Sequence, residues 1–84
     1  MIEEFLLKAN GGLHARPASV FVKNCSQLAS EITVICGNKK ANGKSLISLL
    51  SLGAGLNAQI SVEVNGDSEA ADMEIVRQSL QELL

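Results

Sequence analysis

The hydrophobic period of this chain alternates between two and about 3.6 several times within 84 residues, and no stretch keeps one period for long. Each short segment can bury only one face, so the segments gain stability by sharing a core. Ile2 to Lys8 suits an edge strand, with Phe5 and Leu7 on one face and Glu4 and Lys8 on the other. Asn10-Gly11-Gly12 stops it. From Pro17 the spacing becomes helical, with Ala18, Phe21, Cys25 and Leu28 recurring at steps of three and four. Pro17 suits a first turn, where its missing N–H costs nothing. The pattern predicts a helix over about 16–28.

Glu31 to Cys36 reads as a strand with Ile32, Val34 and Cys36 on one face. Gly37-Asn38 is a hairpin signal, and the polar return, Lys39 to Asn42, suits an edge. Ser45 to Leu52 reads as a short apolar helix stopped by Gly53 and Gly55. Gln59 to Asn65 alternates most cleanly, with Ile60, Val62 and Val64 on one face. Asp67 and Ser68 compete to cap a last helix that runs to about Leu83, striped by Met73, Val76, Leu80 and Leu83. The order β-α-β-β-α-β-α predicts an α+β fold in two layers, a four-stranded antiparallel sheet with three helices on one face. The other sheet face carries Glu4, Thr33, Ser61 and Glu63, which tolerate water.

Function classes fall away quickly. A net charge of −2 gives no basic field for nucleic acid or anionic lipid. Two Phe and no Trp or Tyr supply no platform for stacking bases. No run approaches the ~18 apolar residues of a membrane span, and the acidic N-terminus does not read as a signal peptide, so the expected location is the cytoplasm. Cys25 and Cys36 are not spaced as a ligand pair, and one His cannot complete a metal site with them. They read as reduced, partly buried small hydrophobes, and no metal or cofactor is expected.

Two glycine motifs lose their chemistry in context. Gly37 to Ser45 imitates a phosphate loop, but five residues separate its glycines where the nucleotide cradle has four. Gly53-Ala54-Gly55 follows a helix and precedes a strand, the reverse of the dinucleotide-binding order.

The remaining constellation is Gly12-Leu13-His14-Ala15-Arg16-Pro17-Ala18. It gathers the only His, one of two Arg and the only Pro at a loop-to-helix junction. Amide groups at a helix start lack intrahelical acceptors and carry partial positive charge, which makes that corner an anion site. Arg16 adds a planar cation able to hold two phosphate oxygens. An imidazole with a pKa near ~6.5 is largely neutral at pH 7 and offers a nucleophilic lone pair. The plain structural reading, a solvated loop histidine, is the ordinary fate of a lone His; this spacing favours phosphoryl acceptance instead.

The same residues, Gly12 to Ala18, resemble the active-site signature of HPr, the histidine-containing phosphocarriers of the bacterial phosphoenolpyruvate-dependent sugar phosphotransferase system. Lys44-Ser45-Leu46-Ile47 with Leu49 to Gly53 is similar to that family's second, regulatory signature. The resemblance spans nearly the whole chain, so residues 1–84 are expected to form one HPr-like domain with an open-faced β-sandwich fold. It implies that His14 takes phosphate on Nδ1 from phosphorylated enzyme I and passes it to enzyme IIA domains for sugar uptake. Arg16 would contact the phosphate, while Ala15, Pro17 and Ala18 shape the helix start. Such a chain is a stoichiometric carrier rather than an enzyme, and works as a monomer.

By the same resemblance, partners dock on the first two helices, which makes Leu46, Ile47, Leu50 and Leu52 candidates for an exposed apolar patch; at helical spacing about half of them belong to the core. Ser45 reads as a helix N-cap, and the resemblance adds a regulatory phosphosite for HPr kinase/phosphorylase, with Lys44 beside the phosphate. The alternative function is a regulatory module acting mainly through phospho-Ser45 as a corepressor with a catabolite repressor. The retained His14 argues against that as the sole role. Gly43 departs from the family pattern and suggests a flexible end to the preceding strand.

Overall fold

Ile60, Val62 and Val64 all point to one side of their strand, and all three are buried. That strand organises the sheet. The computed structural model describes residues 1–7, 15–53 and 58–81, with backbone only at 15–17 and 81. Along these the elements run β1 (Ile2–Leu6), α1 (Ala15–Cys25), β2 (Glu31–Cys36), β3 (Lys39–Asn42), α2 (Leu46–Ser51), β4 (Gln59–Asn65) and α3 (Glu69–Gln81). The sheet order is β1-β4-β2-β3, antiparallel throughout. The result is the expected open-faced α+β architecture.

Register explains the core. Phe5 sits opposite Ile60, Val34 lies between Val62 and Ala41, and Ile32 faces Val64. These rows form one apolar face. Ala18, Phe21 and Cys25 of α1 and Met73, Val76 and Leu80 of α3 are buried in the same core, at the three- and four-residue spacing their sequences show. Glu3 also falls on this face, at the sheet edge, and Arg77 of α3 meets it at 2.7 Å while holding Glu74 at 2.6 Å. The opposite face is less polar than the sequence suggests. Glu4 there accepts a bond from Gln59 at 2.7 Å, yet Ile2 and Leu6 beside it are exposed.

β2, β3 and β4 hold the segments read from the sequence, while β1 ends at Leu6: Leu7 lies just past it, buried, with its N–H on the Ala58 carbonyl at 2.9 Å, and Lys8 lies outside the described residues. Gly37 takes φ +60° in the β2–β3 hairpin, a conformation that favours glycine. The helix ends differ. α1 stops at Cys25 rather than near residue 28, because Ser26 turns its hydroxyl onto the Val22 carbonyl at 2.7 Å and Leu28 N–H reaches only as far back as the Cys25 carbonyl. Leu28 still packs in the core. α2 spans Leu46–Ser51, with Ser45 and Leu52 as its caps. α3 begins at Glu69, just after Ser68; residues 82–84, where the sequence places its end, lie outside the described residues.

Asp72 of α3 secures the chain between α1 and β2. Its carboxylate accepts from the Ser30 amide at 3.1 Å and from the Ser68 hydroxyl at 2.9 Å. The Ser30 hydroxyl lies nearby without meeting hydrogen-bond geometry to any group. Together the neighbouring Ser30 hydroxyl, the Ser68 hydroxyl, the Ser30 amide and the Lys44 charge outweigh desolvation and hold this carboxyl below the ordinary Asp range. The unfolded value is ~3.9, so its contribution is complete above about pH 4 and is lost as acid protonates the folded carboxylate. Asp72→Asn should therefore lower Tm at neutral pH, and the gap between variant and parent should close as pH falls well below about 4. A gap that stayed constant across thermal melts at decreasing pH would show that the charge is not what holds this turn.

Gly43 does not behave as a loose strand end. Its N–H donates to the Ile32 carbonyl at 2.7 Å, and a methyl group added there would stand 2.5 Å from Ile32 Cγ2 and 3.2 Å from the Ile32 carbonyl oxygen. Close backbone approach, not flexibility, is the requirement. Gly43→Ala should cost about 1–3 kcal/mol, as other overpacked sites do, and shift the urea midpoint down with an unchanged slope. An unmoved midpoint would mean that the backbone gives way freely there.

Candidate functional site

α1 opens at Ala15, the residue after His14. Its first turn carries no acidic side chain, so nothing on the helix neutralises the partial positive charge of its free amides. Ala18 is fully buried and seats that turn on the core. Phe21 and Cys25 continue the contact one and two turns later. The backbone of Ala15, Arg16 and Pro17 therefore lies in a helical turn fixed from beneath. His14 with the glycines before it, and the side chains of Arg16 and Pro17, lie outside the described residues. What is placed is the helical mouth immediately following the histidine.

Ser45 caps α2. Its backbone is extended (φ −125°, ψ 116°), its hydroxyl accepts from Ser48 N–H at 3.4 Å and its carbonyl from Leu49 N–H at 3.1 Å. The turn before it is laced locally. Asn42 Oδ1 accepts from Lys44 N–H at 2.9 Å, and the Ser48 hydroxyl accepts from Asn42 N–H at 3.0 Å. Beside the unmodified Ser45, Lys44 has another partner. Its ammonium donates to the Leu28 carbonyl at 2.6 Å, just past the end of α1.

The apolar residues of α2 separate into two groups. Leu49 and Leu52 are buried, Leu46 packs partly against the core, Ile47 is 82% exposed and Leu50 is exposed. Leu52 is thus a core residue rather than part of an exposed patch, because it keeps helical dihedrals (φ −65°, ψ −31°) three residues after buried Leu49 and falls on the same side of the helix. The sequence reading passed over Val20, which stands exposed on α1. The signal was available, since Val20 falls off the Ala18–Phe21–Cys25 stripe and is apolar without a core role. Exposed apolar side chains therefore occur on both α1 and α2, which pack against each other.

Cys25 is held as an unreactive thiol. Both cysteines are free thiols. Burial pushes the Cys25 thiol up to about 12, against a smaller downward pull from Lys44. Among the described residues no three His, Cys, Asp or Glu side chains group to hold a metal, and no helix is long and apolar enough to cross a membrane.

Known proteins share this arrangement. A family model described as the PTS HPr component phosphorylation site matches residues 2–82. The phosphocarrier protein HPr of Borreliella burgdorferi is 38% identical over 82 residues, covering 98% of this chain and 91% of that protein. The histidine-containing phosphocarrier protein of a mycoplasma superposes with a TM-score of 0.93 at 27% identity, covering 98% of this chain and 93% of that one. HPr from Thermoanaerobacter tengcongensis superposes with a TM-score of 0.92 at 32% identity, covering 98% and 92%. The family match runs over residues 2–82, the identity to a known carrier is 38% across 98% of the chain, and the fold superposes on those of such carriers, so the chain belongs to the HPr family of phosphocarriers.

Proposed function

We propose that residues 1–84 act as one phosphocarrier domain whose acceptor is His14. The observation that carries this reading is the start of α1 at Ala15, with no carboxylate in its first turn. In the forward step the Nδ1 lone pair of neutral His14 attacks the phosphorus held by phosphorylated enzyme I. The new P–N bond forms as the bond to the donor breaks, and the donor keeps the electron pair. The α1 amides and the Arg16 guanidinium steady the phosphoryl oxygens without trapping them. A second in-line transfer hands the group to an enzyme IIA domain, with the roles reversed. Partners supply the rest of the catalytic surface, and the domain itself is a carrier rather than a catalyst. Exposed Val20, Ile47 and Leu50 supply apolar contact area for partners that must also release quickly. Incubation with phosphoenolpyruvate and enzyme I should place one acid-labile phosphoryl group on each chain; a chain that takes none ends the proposal.

Ser45 supports a regulatory branch. A phosphate on its hydroxyl would add ~1.5–2 negative charges two residues from Ile47 and weaken apolar docking. The kinase for this step would be HPr kinase/phosphorylase, and a catabolite repressor the reader of the product. ATP-dependent labelling that survives His14→Ala and vanishes in Ser45→Ala is the expected signature.

A further inference from the structure

α2 has six residues, too few to hold its own conformation in water. Leu49 and Leu52 fasten it to the core, but apolar burial is non-directional and two buried side chains specify the orientation of a short helix only in part. Direction comes from polar bonds. Those of Ser45, Ser48 and Asn42 join α2 to its own cap and to β3. Lys44 reaches further, from the residue before the cap to the Leu28 carbonyl, and is partly buried along the way. The carbonyls past the end of α1 lack helical partners and lie at the negative end of its dipole, so an ammonium is well placed there. The contact lies on the seam between α1 and α2, which pack against each other.

We infer that Lys44 is a positioning residue: its bond to the Leu28 carbonyl sets α2 against α1, and so sets how Ile47 and Leu50 are presented beside Val20 to a docking partner. The docking part rests on the phosphocarrier reading above. Lys44 touches neither the phosphoryl group nor, in this role, the partner.

Lys44→Met keeps the aliphatic stem and removes the donor, while Lys44→Arg keeps a cationic donor. Without any partner present, Lys44→Met should speed amide exchange at Leu49 by roughly tenfold or more, the size expected for one lost hydrogen bond to a charged group, and leave Val76 and Leu80 of α3 unchanged. With phospho-enzyme I, KM for the carrier should rise by a similar factor at constant kcat, and Lys44→Arg should recover most of the loss. In an Ile47→Ala/Leu50→Ala background the same substitution should add almost nothing to KM, since the face it positions is gone. Unchanged exchange at Leu49 overturns the inference, as does a KM penalty equally large in the double-alanine background. If the parent chain takes no phosphoryl group, the phosphocarrier reading fails, and the exchange experiment alone decides whether Lys44 sets α2.

Discussion

Phospho-enzyme I should transfer nothing to a His14→Ala chain. The expected loss is complete rather than graded, because the sequence contains no second histidine to take over. Serine hydroxyls are present but are poor nucleophiles at neutral pH without an adjacent base, and a phosphate ester on Ser45 would survive acid that cleaves a P–N bond. Radiolabel from phosphoenolpyruvate, measured before and after mild acid, separates the two products. The acceptor role proposed for His14 requires an accessible ring, so the substitution should leave folding intact. Its Tm should match the parent's within the small range typical of surface changes. Acid-labile label on the alanine chain would place the acceptor elsewhere.

Phe21→Ala should produce the largest loss of stability. Phe21 is 1% exposed in the middle of α1, between Ala18 and Cys25 on the stripe that meets the sheet. Truncating a buried Phe costs about 3–5 kcal/mol, lost transfer energy and a residual cavity combined. A domain has only about 5–15 kcal/mol in total, so the variant approaches the unfolding threshold. For a chain of this length the Tm should fall by roughly 12–40 °C. Thermal melts followed by circular dichroism, with a urea titration beside them, check the value. A fall of only a few degrees would show that the site collapses around the gap. Because α1 also sets the helical mouth after His14, phosphoryl acceptance by this variant should fail at temperatures where Val20→Ala still works.

The strands were legible in the sequence because their signals are local. Ile60, Val62 and Val64 alternate with Ser61 and Glu63, and Gly37-Asn38 and Asn65-Gly66 mark chain reversals. The end of α1 was not, because its apolar stripe runs on through buried Leu28 while the helix itself stops at Cys25. The chain beyond it is held by a distant partner, the Asp72 carboxylate on the Ser30 amide, 42 positions away. Gly43 looked like slack for the same reason: the Ile32 methyl that forbids a side chain there is a neighbour only in the folded sheet. In α2 the helical period has fewer than two turns to express itself, so Leu46, Leu50 and Leu52 could not be sorted into core and surface by spacing. The His14 constellation is readable because its residues are contiguous, running from Gly12 to Ala18 with the proposed acceptor, the cation and the helix start in sequence.

The strand order carries a consequence for biosynthesis. β1 is the first element made, yet its partner is β4, and β2 reaches β1 only through that same strand. At translation speeds of about 5–20 residues per second, the leading segment waits several seconds for a mate. Until Asn65 has left the ribosome, Phe5 and Val34 have no Ile60 or Val62 to lie against. A half-made carrier therefore exposes an unmated β1 and the open edge of the β2–β3 hairpin, and holding chaperones should engage it during synthesis and release it once β4 slots between them.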